Sequence, residues 1–189
     1  ALWGDTMTNR LFPAFRTEAS DRSVFNGGVE AEDSTLVATR ILLNTQQRGW
    51  VHVLWLGNAN RLSRYGDKRL NAPAQIKADL ALVVACLRAS HDRFVVLSVL
   101  HSSHARRGTT DYQRITGLNE ELAALYPDNY FDARSFLVSL YNPELEQDRI
   151  DFQNDVTPSS IRIDDMHLTA AGYRALALRV RQFIGEKGW

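Results

Sequence analysis

The sequence contains two nearly continuous apolar runs, Val51-His-Val-Leu-Trp-Leu56 and Phe94-Val-Val-Leu-Ser-Val-Leu100. Strands of a parallel sheet are covered on both faces, so they carry apolar side chains at successive positions instead of alternate ones. Longer stretches with helical periodicity separate and follow these runs. In the last of them, Thr169–Ile184, the apolar residues recur on one helical face. Alternation of such strands and helices predicts an α/β fold with a parallel sheet.

The same patterns assign residues 1–189 to a single domain, because they contain no internal repeat and no linker. The chain opens almost inside a strand and without methionine, so we expect it to be excised from, or processed out of, a longer chain. The predicted strands are Ala1–Trp3, Ser23–Phe25, Trp50–Leu56, Phe94–Leu100 and Tyr130–Ala133. The predicted helices are Thr35–Gln47, Pro73–Ala89, Asp111–Leu125 and Thr169–Ile184, and loops are predicted at 62–72, 102–110 and 141–163.

Composition excludes several classes of function. The 22 basic and 22 acidic side chains cancel, which leaves no basic excess for binding nucleic acid. No apolar run approaches the roughly 20 residues that span a bilayer, so we predict no membrane span. The lone cysteine, Cys86, excludes an internal disulfide. For the location of the chain, one expectation is that it is secreted or extracytoplasmic as part of a larger protein. We predict no cofactor and no metal, because His101 and His104 lack a carboxylate at fixed spacing and better suit the mouth of a substrate site.

Three short polar segments follow predicted strands, at the edge where an open α/β sheet binds its ligands. Gly4-Asp-Thr6 would present a hydroxyl on the sharp turn after the first strand, although Thr6 equally suits a helix cap. Asn26-Gly-Gly28 would let a backbone N–H approach a reacting carbonyl oxygen, and its simpler interpretation is a turn. Gly57-Asn-Ala-Asn60 offers two side-chain amides as further donors.

The most informative segment is Ile163-Asp-Asp-Met-His-Leu-Thr-Ala-Ala-Gly-Tyr173, at the threshold of the last helix. A histidine that acts as a general base needs an acceptor at its other ring nitrogen, which fixes the tautomer and stabilises the imidazolium. Asp164, three residues before His167, can reach that nitrogen on a tight turn. Asp165 competes for this role at an offset of two.

In this order, the four segments resemble the blocks of the SGNH hydrolase superfamily, the GDSL-like esterases and lipases. That family carries Gly-Asp-Ser, a glycine, Gly-x-Asn and Asp-x-x-His. The resemblance runs from Trp3 to about Ile184. Its last block is the most specific, because Leu168, Gly172 and Tyr173 accompany the pair Asp164 and His167, which we call the dyad. It implies a three-layer α/β/α sandwich with a five-stranded parallel sheet in the flavodoxin-like order 2-1-3-4-5. It also implies ester hydrolysis through an acyl-enzyme.

The resemblance assigns a role to each matched residue. Thr6 falls on the nucleophile, His167 on the general base and Asp164 on the carboxylate that orients the base, which together form a catalytic triad. The oxyanion hole would consist of the N–H groups of Thr6 and Gly28 and one asparagine amide, for which we favour Asn60. The implied activity is removal of a small acyl group, such as acetyl, from a carbohydrate-like or other small-molecule ester.

Two departures from the family pattern keep other functions open. Threonine replaces the nucleophilic serine, and its extra methyl restricts χ1 and crowds the attack trajectory. Without a gap, Ala59 aligns with the oxyanion asparagine. Asn60 therefore serves only if the loop holds one extra residue, and Asn58 only if the loop turns differently. The alternatives are a non-catalytic module that binds a glycan or a partner on the same fold, and an O-acyltransferase with the same triad.

Overall fold

The computed structural model describes residues 1–60 and 72–189 of the chain. Its centre is a five-stranded sheet in which every neighbouring pair is parallel, in the order 2-1-3-4-5. The family resemblance implied this topology, and the predicted fold class is confirmed. The strands are β1 (Leu2–Gly4), β2 (Asn26–Gly28), β3 (His52–Trp55), β4 (Phe94–Leu97) and β5 (Tyr130–Phe131).

Helices cover both faces of the sheet and make a three-layer α/β/α sandwich. The helices are α1 (Thr6–Glu18), α2 (Ser34–Leu43), α3 (Ala72–Arg88), α4 (Thr110–Leu125), α5 (Ala133–Ser139), α6 (Glu146–Gln153) and α7 (Ala170–Glu186), and a short 3-10 helix occupies Ser159–Ile161. Successive strand residues enter opposite cores, as Val53 and Leu54 do in β3. One core lies beneath α1, α5 and α7, and the other beneath α2, α3 and α4. Within residues 1–60 and 72–189, no helix is long and apolar enough to cross a membrane.

The second strand corrects the sequence prediction, which placed it at Ser23–Phe25 and put the following glycines after it, as an oxyanion segment or a turn. The strand is Asn26–Gly28 itself, paired with β1. Its last glycine permits a close approach to α1, because a Cβ on Gly28 would lie 2.3 Å from the backbone N of Asn9. Glycine at this point therefore marks a strand pressed against a neighbouring backbone.

Three helices have no counterpart in the sequence prediction, and each lacks a feature by which helices are usually predicted. α1 carries Pro13 in its interior, a residue that usually ends a helix. α5 has only seven residues. α6 falls in the stretch predicted as the loop 141–163, and its buried residues are Asp148 and Asp151 instead of an apolar stripe. The predicted loop 62–72 lies outside the described residues except for Ala72, which begins α3.

The fold brings the candidate site segments to one end of the sheet. Parallel strands have their carboxyl ends at the same edge, so the turns after β1 and β3 are neighbours. α1 and α7 pack together on one face, and Tyr173 Oη near the start of α7 lies 3.5 Å from Met7 Sδ near the start of α1. The residues at the beginning of both helices therefore share the carboxyl edge of the sheet, where open α/β sheets usually bind their ligands.

Candidate active site

Thr6 is the first residue of α1, at the turn that follows β1. The preceding Asp5 caps the helix, because its Oδ1 accepts a hydrogen bond from Met7 N at 2.9 Å. Its other oxygen, Oδ2, accepts from Ala59 N at 2.8 Å, and the carboxylate is buried. Asp5 therefore fixes the turn that carries Thr6 against the loop after β3.

The hydroxyl of Thr6 accepts a hydrogen bond from the backbone N–H of Ala31 at 3.0 Å. Ala31 has a φ of 60°, in the left-handed region that costs a residue with a Cβ about 1–2 kcal/mol. The loop between β2 and α2 thus contains a strained residue whose amide points at the predicted nucleophile. Sequence reasoning missed Ala31, because alanine gives no sign of a left-handed conformation, whereas a glycine would have given one.

Asp164 and His167 are hydrogen-bonded to each other. His167 Nδ1 donates to Asp164 Oδ2 at 2.7 Å, and Asp164 Oδ1 accepts from the backbone N–H groups of Met166 and His167 at 2.8 and 2.7 Å. Burial alone would raise the pKa of Asp164, but these hydrogen bonds lower that pKa to about 2. The carboxylate is therefore ionised near neutral pH and keeps the proton on Nδ1, which leaves Nε2 as the nitrogen that can accept one.

The predicted nucleophile and base belong to neighbouring elements. Thr6 opens α1, and His167 lies in the loop that leads directly into α7. The contact between Met7 and Tyr173 places the beginnings of these two helices side by side. The roles of Thr6, His167 and Asp164 as a catalytic triad stay predictions.

The backbone N–H of Gly28, a predicted oxyanion donor, already has an acceptor. It donates to Asn26 Oδ1 at 3.0 Å, and the Asn26 amide in turn donates to Asn9 Oδ1 at 2.9 Å. This small network ties the end of β2 to the first turns of α1. Gly28 would serve an oxyanion only if its N–H left Asn26, and this role stays a prediction.

Both asparagines of the loop after β3 are buried and bound to the scaffold. Asn60 Oδ1 accepts from Ser34 N, and its Nδ2 donates to Ser34 Oγ, both at 2.8 Å. Asn58 Oδ1 accepts from Leu100 N at 2.9 Å, and its buried Nδ2 has no hydrogen-bond acceptor among residues 1–60 and 72–189. Because the Asn60 amide is engaged at both ends by the start of α2, an oxyanion role would require the pair with Ser34 to part. The choice between Asn60 and Asn58 stays a prediction.

Asp165, the competing carboxylate, contacts a different histidine. Its side chain accepts hydrogen bonds from Ser103 Oγ and from His104 Nε2, the latter at 3.1 Å. These contacts, that of Ser103 foremost, lower the pKa of Asp165. His101 is buried, with its ring centroid 5.0 Å from that of Tyr112. Over the described part of the chain, no group of three histidine, cysteine or acidic side chains could hold a metal.

A cavity of about 350 Å³ lies beside the dyad loop. Gly57 and Asn60 contribute to its wall on the side of β3, and Asp165 and Met166 on the side of the dyad. A substrate in this cavity would therefore meet both the loop after β3 and the loop that holds His167. Its apolar lining includes Ile76, Val99, Ile115 and Leu118.

Comparison with family models and curated proteins gives one relative. No family model matches the chain. The tail spike protein of Salmonella phage epsilon15 is 29% identical over 153 residues. The match covers 74% of this chain and 13% of that protein, so the chain spans a small part of its relative's length.

Solved structures share the architecture at low sequence identity. A GDSL-like lipase from Bacteroides thetaiotaomicron superposes with a TM-score of 0.72 at 15% identity, covering 98% of this chain and 87% of that chain. A member of the lipolytic protein G-D-S-L family from Veillonella parvula gives 0.70 at 13% identity, covering 96% and 94%. A mutant of an acetyl-xylooligosaccharide esterase from Geobacillus gives 0.71 at 11% identity, covering 97% and 92%. The chain therefore has the fold of the GDSL-like, or SGNH, hydrolases.

Proposed function

We propose that the chain is an ester hydrolase that works through an acyl-enzyme, with Thr6 as nucleophile, His167 as general base and Asp164 as the orienting carboxylate. The observation that carries the proposal is the 2.7 Å hydrogen bond between His167 Nδ1 and Asp164 Oδ2. The loop that holds this pair leads into α7, whose Tyr173 contacts Met7 at the start of α1. The fold supports it at a coarser level, since solved proteins with this fold are named as a lipase and an esterase.

Acylation begins when His167 Nε2 removes the proton of Thr6 Oγ1 and this oxygen attacks the ester carbonyl carbon. The tetrahedral intermediate collapses as the imidazolium gives its proton to the oxygen of the leaving alcohol. Water then attacks the acyl ester of Thr6 with the same histidine as base, which releases the acid and regenerates the hydroxyl. Asp164 stays ionised throughout and stabilises the imidazolium, in keeping with its lowered pKa.

The N–H groups of Thr6 and Ala31 are the principal oxyanion donors in this proposal. Ala31 N lies 3.0 Å from Thr6 Oγ1, so it adjoins the carbonyl oxygen of an ester under attack by that hydroxyl. Gly28 and Asn60 stay candidates, but each would first give up its present hydrogen bonds. The Ala31 N–H would also have to leave Thr6 Oγ1, but the oxyanion forms on the carbon that this oxygen attacks, so the change of acceptor is short, which favours Ala31.

The proposed substrate is a small acyl ester, such as an acetyl ester, of a carbohydrate-like or other polar alcohol. The cavity lined by Asp165 and Met166, which lie between Asp164 and His167 in the same loop, has room for such a group, and its apolar lining suits a methyl or a short chain. The carboxylate of Asp165 adds a polar group that suits a hydroxyl. One protein of the same fold is named an acetyl-xylooligosaccharide esterase, which supports the carbohydrate ester as the class to test first.

A non-catalytic binding module on the same fold is the second candidate. Ala59 favours it, because in an alignment without a gap its methyl stands where the family places an amide donor. The Asn60 amide favours it as well, since its hydrogen bonds go to Ser34. Loss of one oxyanion donor costs about 10²–10³ in turnover, so these features weaken catalysis unless backbone donors replace the amide.

Turnover of p-nitrophenyl acetate by the chain and by its Thr6→Ser form tests the proposal. Serine removes the extra methyl and restores freedom of χ1, so we expect kcat to rise at least roughly tenfold, about 1.4 kcal/mol of barrier. Thr6→Ala is the matched control, because it removes the hydroxyl at the same position and should show no enzymatic turnover. A binding module would be silent in all three forms. Equal, measurable activity of the threonine and serine forms would refute the impaired-nucleophile account.

A further inference from the structure

The helix α6 holds two buried carboxylates that the proposed mechanism does not use. Asp148 is fully buried and accepts hydrogen bonds from the hydroxyl and N–H of Ser160, from Ser159 Oγ and from Asn142 N. A buried carboxylate is costly unless it is fully hydrogen-bonded, and here four donors surround it. Asp148 thereby fixes the short 3-10 helix that leads into the dyad loop.

Asp151, one turn further along α6, forms an ion pair with Arg162. Asp151 Oδ2 lies 3.0 Å from Arg162 Nη2, and only 5% of the Asp151 side chain and 15% of the Arg162 side chain are exposed. The same carboxylate accepts from Ser159 N at 2.8 Å and from Gln147 Nε2 at 2.9 Å. Because the pair is largely desolvated, removal of either partner would leave the other charge uncompensated.

Arg162 stands at the base of the loop that carries the dyad. Its Nε donates to Thr157 O at 2.8 Å, and its Nη1 lies 3.5 Å from the carbonyl oxygen of Asp164. The loop is a short hairpin, in which Ile163 N donates to His167 O at 2.8 Å. The guanidinium therefore reaches from the buried acid of α6 to the turn that presents the orienting carboxylate.

We infer that the Asp151–Arg162 ion pair positions the Asp164–His167 dyad. A planar guanidinium holds several acceptors in one fixed geometry, which a lysine ammonium does not. A displacement of about 1 Å at a catalytic group can cost about 10²-fold in turnover, so an ion pair that holds this loop in place affects turnover. That consequence rests on the proposed function, whereas the geometry of the dyad can be measured without any substrate.

The tautomer of His167 is the direct readout of this positioning. In the 189-residue chain labelled with 15N-histidine, two-bond 1H–15N correlation spectra show which ring nitrogen carries the proton when the imidazole is neutral. The His167 signal is assigned by its loss in His167→Ala. We expect the Nδ1–H tautomer in the wild-type chain, because Asp164 accepts from Nδ1. Arg162→Met, which keeps an apolar stem and no donor, should give a mixture of both tautomers.

Turnover supplies the second readout, in the Thr6→Ser form of the chain. Arg162→Met should lower kcat about 10- to 100-fold and leave KM within about twofold, since the substrate-binding groups are unchanged. Arg162→Lys retains the charge opposite Asp151, so its kcat should lie between that of the chain with Arg162 and that of Arg162→Met. It also carries the comparison if Arg162→Met does not fold.

Val83→Ala is the matched control for lost stability. Val83 is fully buried in the core on the opposite face of the sheet, so its truncation lowers the free energy of unfolding without contacting the dyad. It should leave the His167 tautomer and kcat unchanged. An unchanged tautomer in both Arg162 variants would overturn the inference, whatever their turnover. A changed tautomer in a chain that hydrolyses no ester would uphold the positioning role and refute the proposed function.

Discussion

Two contacts, one on each side of the proposed cleft, differ greatly in the sequence separation of their partners. We name residues 162–168 the base wall, and residues 26–34 together with 57–60 the oxyanion wall. In the base wall, Asp164 bonds to Met166 and His167, which are two and three residues away along the chain. In the oxyanion wall, Asn60 bonds to Ser34, 26 residues away. The contact between Asp164 and His167 is therefore specified locally, and the contact between Asn60 and Ser34 by tertiary packing.

This difference separates two requirements of acyl transfer. Proton transfer needs an oriented base, and the base wall provides one through the short hydrogen bond between His167 and Asp164. In our inference, the ion pair of Asp151 in α6 with Arg162 holds this loop in place. Stabilisation of the oxyanion needs donors aimed at one point, and in the oxyanion wall the donor seen to reach Thr6 is Ala31 N–H. We therefore expect limits on turnover to arise at the oxyanion wall and at the threonine, and not at the base.

Of the substitutions in the two walls, removal of the base should lower turnover the most. In the Thr6→Ser form, we expect His167→Ala to lower kcat for p-nitrophenyl acetate about 10³-fold or more, because an unassisted hydroxyl is a poor nucleophile near neutral pH. His104→Ala is the matched control, since His104 pairs with Asp165 in the same region. It should keep kcat within about threefold. The reverse pattern, with His104 essential and His167 dispensable, would show that the base wall is misassigned.

Replacement of Asn60 tests whether the amide in the oxyanion wall acts on the substrate or on the fold. Asn60→Ala leaves the buried N–H of Ser34 without its acceptor, while the Ser34 hydroxyl still donates to Asp79 Oδ2 at 2.6 Å. The free energy of unfolding should therefore fall by about 1–3 kcal/mol. If the amide only supports the loop, kcat of the folded protein should change less than about threefold. Ser34→Ala is the matched control, because it removes one partner and retains the amide. A kcat loss of about 10²–10³ in Asn60→Ala alone would return Asn60 to the oxyanion hole.

The sequence allowed prediction of the parts of the fold and site that depend on local pattern. The continuous apolar runs around Val53 and Val95 predicted buried parallel strands, and the spacing of Asp164 and His167 predicted a contact that the structure contains. The left-handed conformation of Ala31 was not predictable, because the loop imposes it through tertiary contacts on a residue that rarely adopts it.

Two further features were hidden for related physical reasons. α6 buries Asp148 and Asp151, so its inward face is acidic and gives no hydrophobic periodicity. The glycines of β2 looked like a turn because the sequence does not show that α1 approaches them closely. In both cases the signal lies outside the element itself, in residues that lie 6 to 12 positions from the α6 carboxylates and in α1 for β2.

The smallest expected effect concerns Ala31, where strain and catalysis can be separated. Ala31→Gly removes the Cβ that makes a φ of 60° unfavourable, and the greater freedom of glycine in the unfolded chain offsets part of this gain. We expect the free energy of unfolding to rise by up to about 1 kcal/mol in denaturant titrations. The backbone N–H remains and can still reach Thr6, so kcat of the Thr6→Ser form should stay within about twofold.

Ala31→Val makes the opposite change at the same position. A β-branched residue is a genuine outlier at positive φ, so the loop should rearrange and withdraw the N–H from Thr6, with a fall in kcat of about tenfold. Glu30→Val is the matched control, because it adds the same side chain at the neighbouring residue, which does not have a positive φ. If Ala31→Val lowers stability and leaves kcat unchanged, the Ala31 N–H only caps the hydroxyl of Thr6. The oxyanion wall would then lack the backbone donor that we assign to it, and the non-catalytic module would become the better account of this chain.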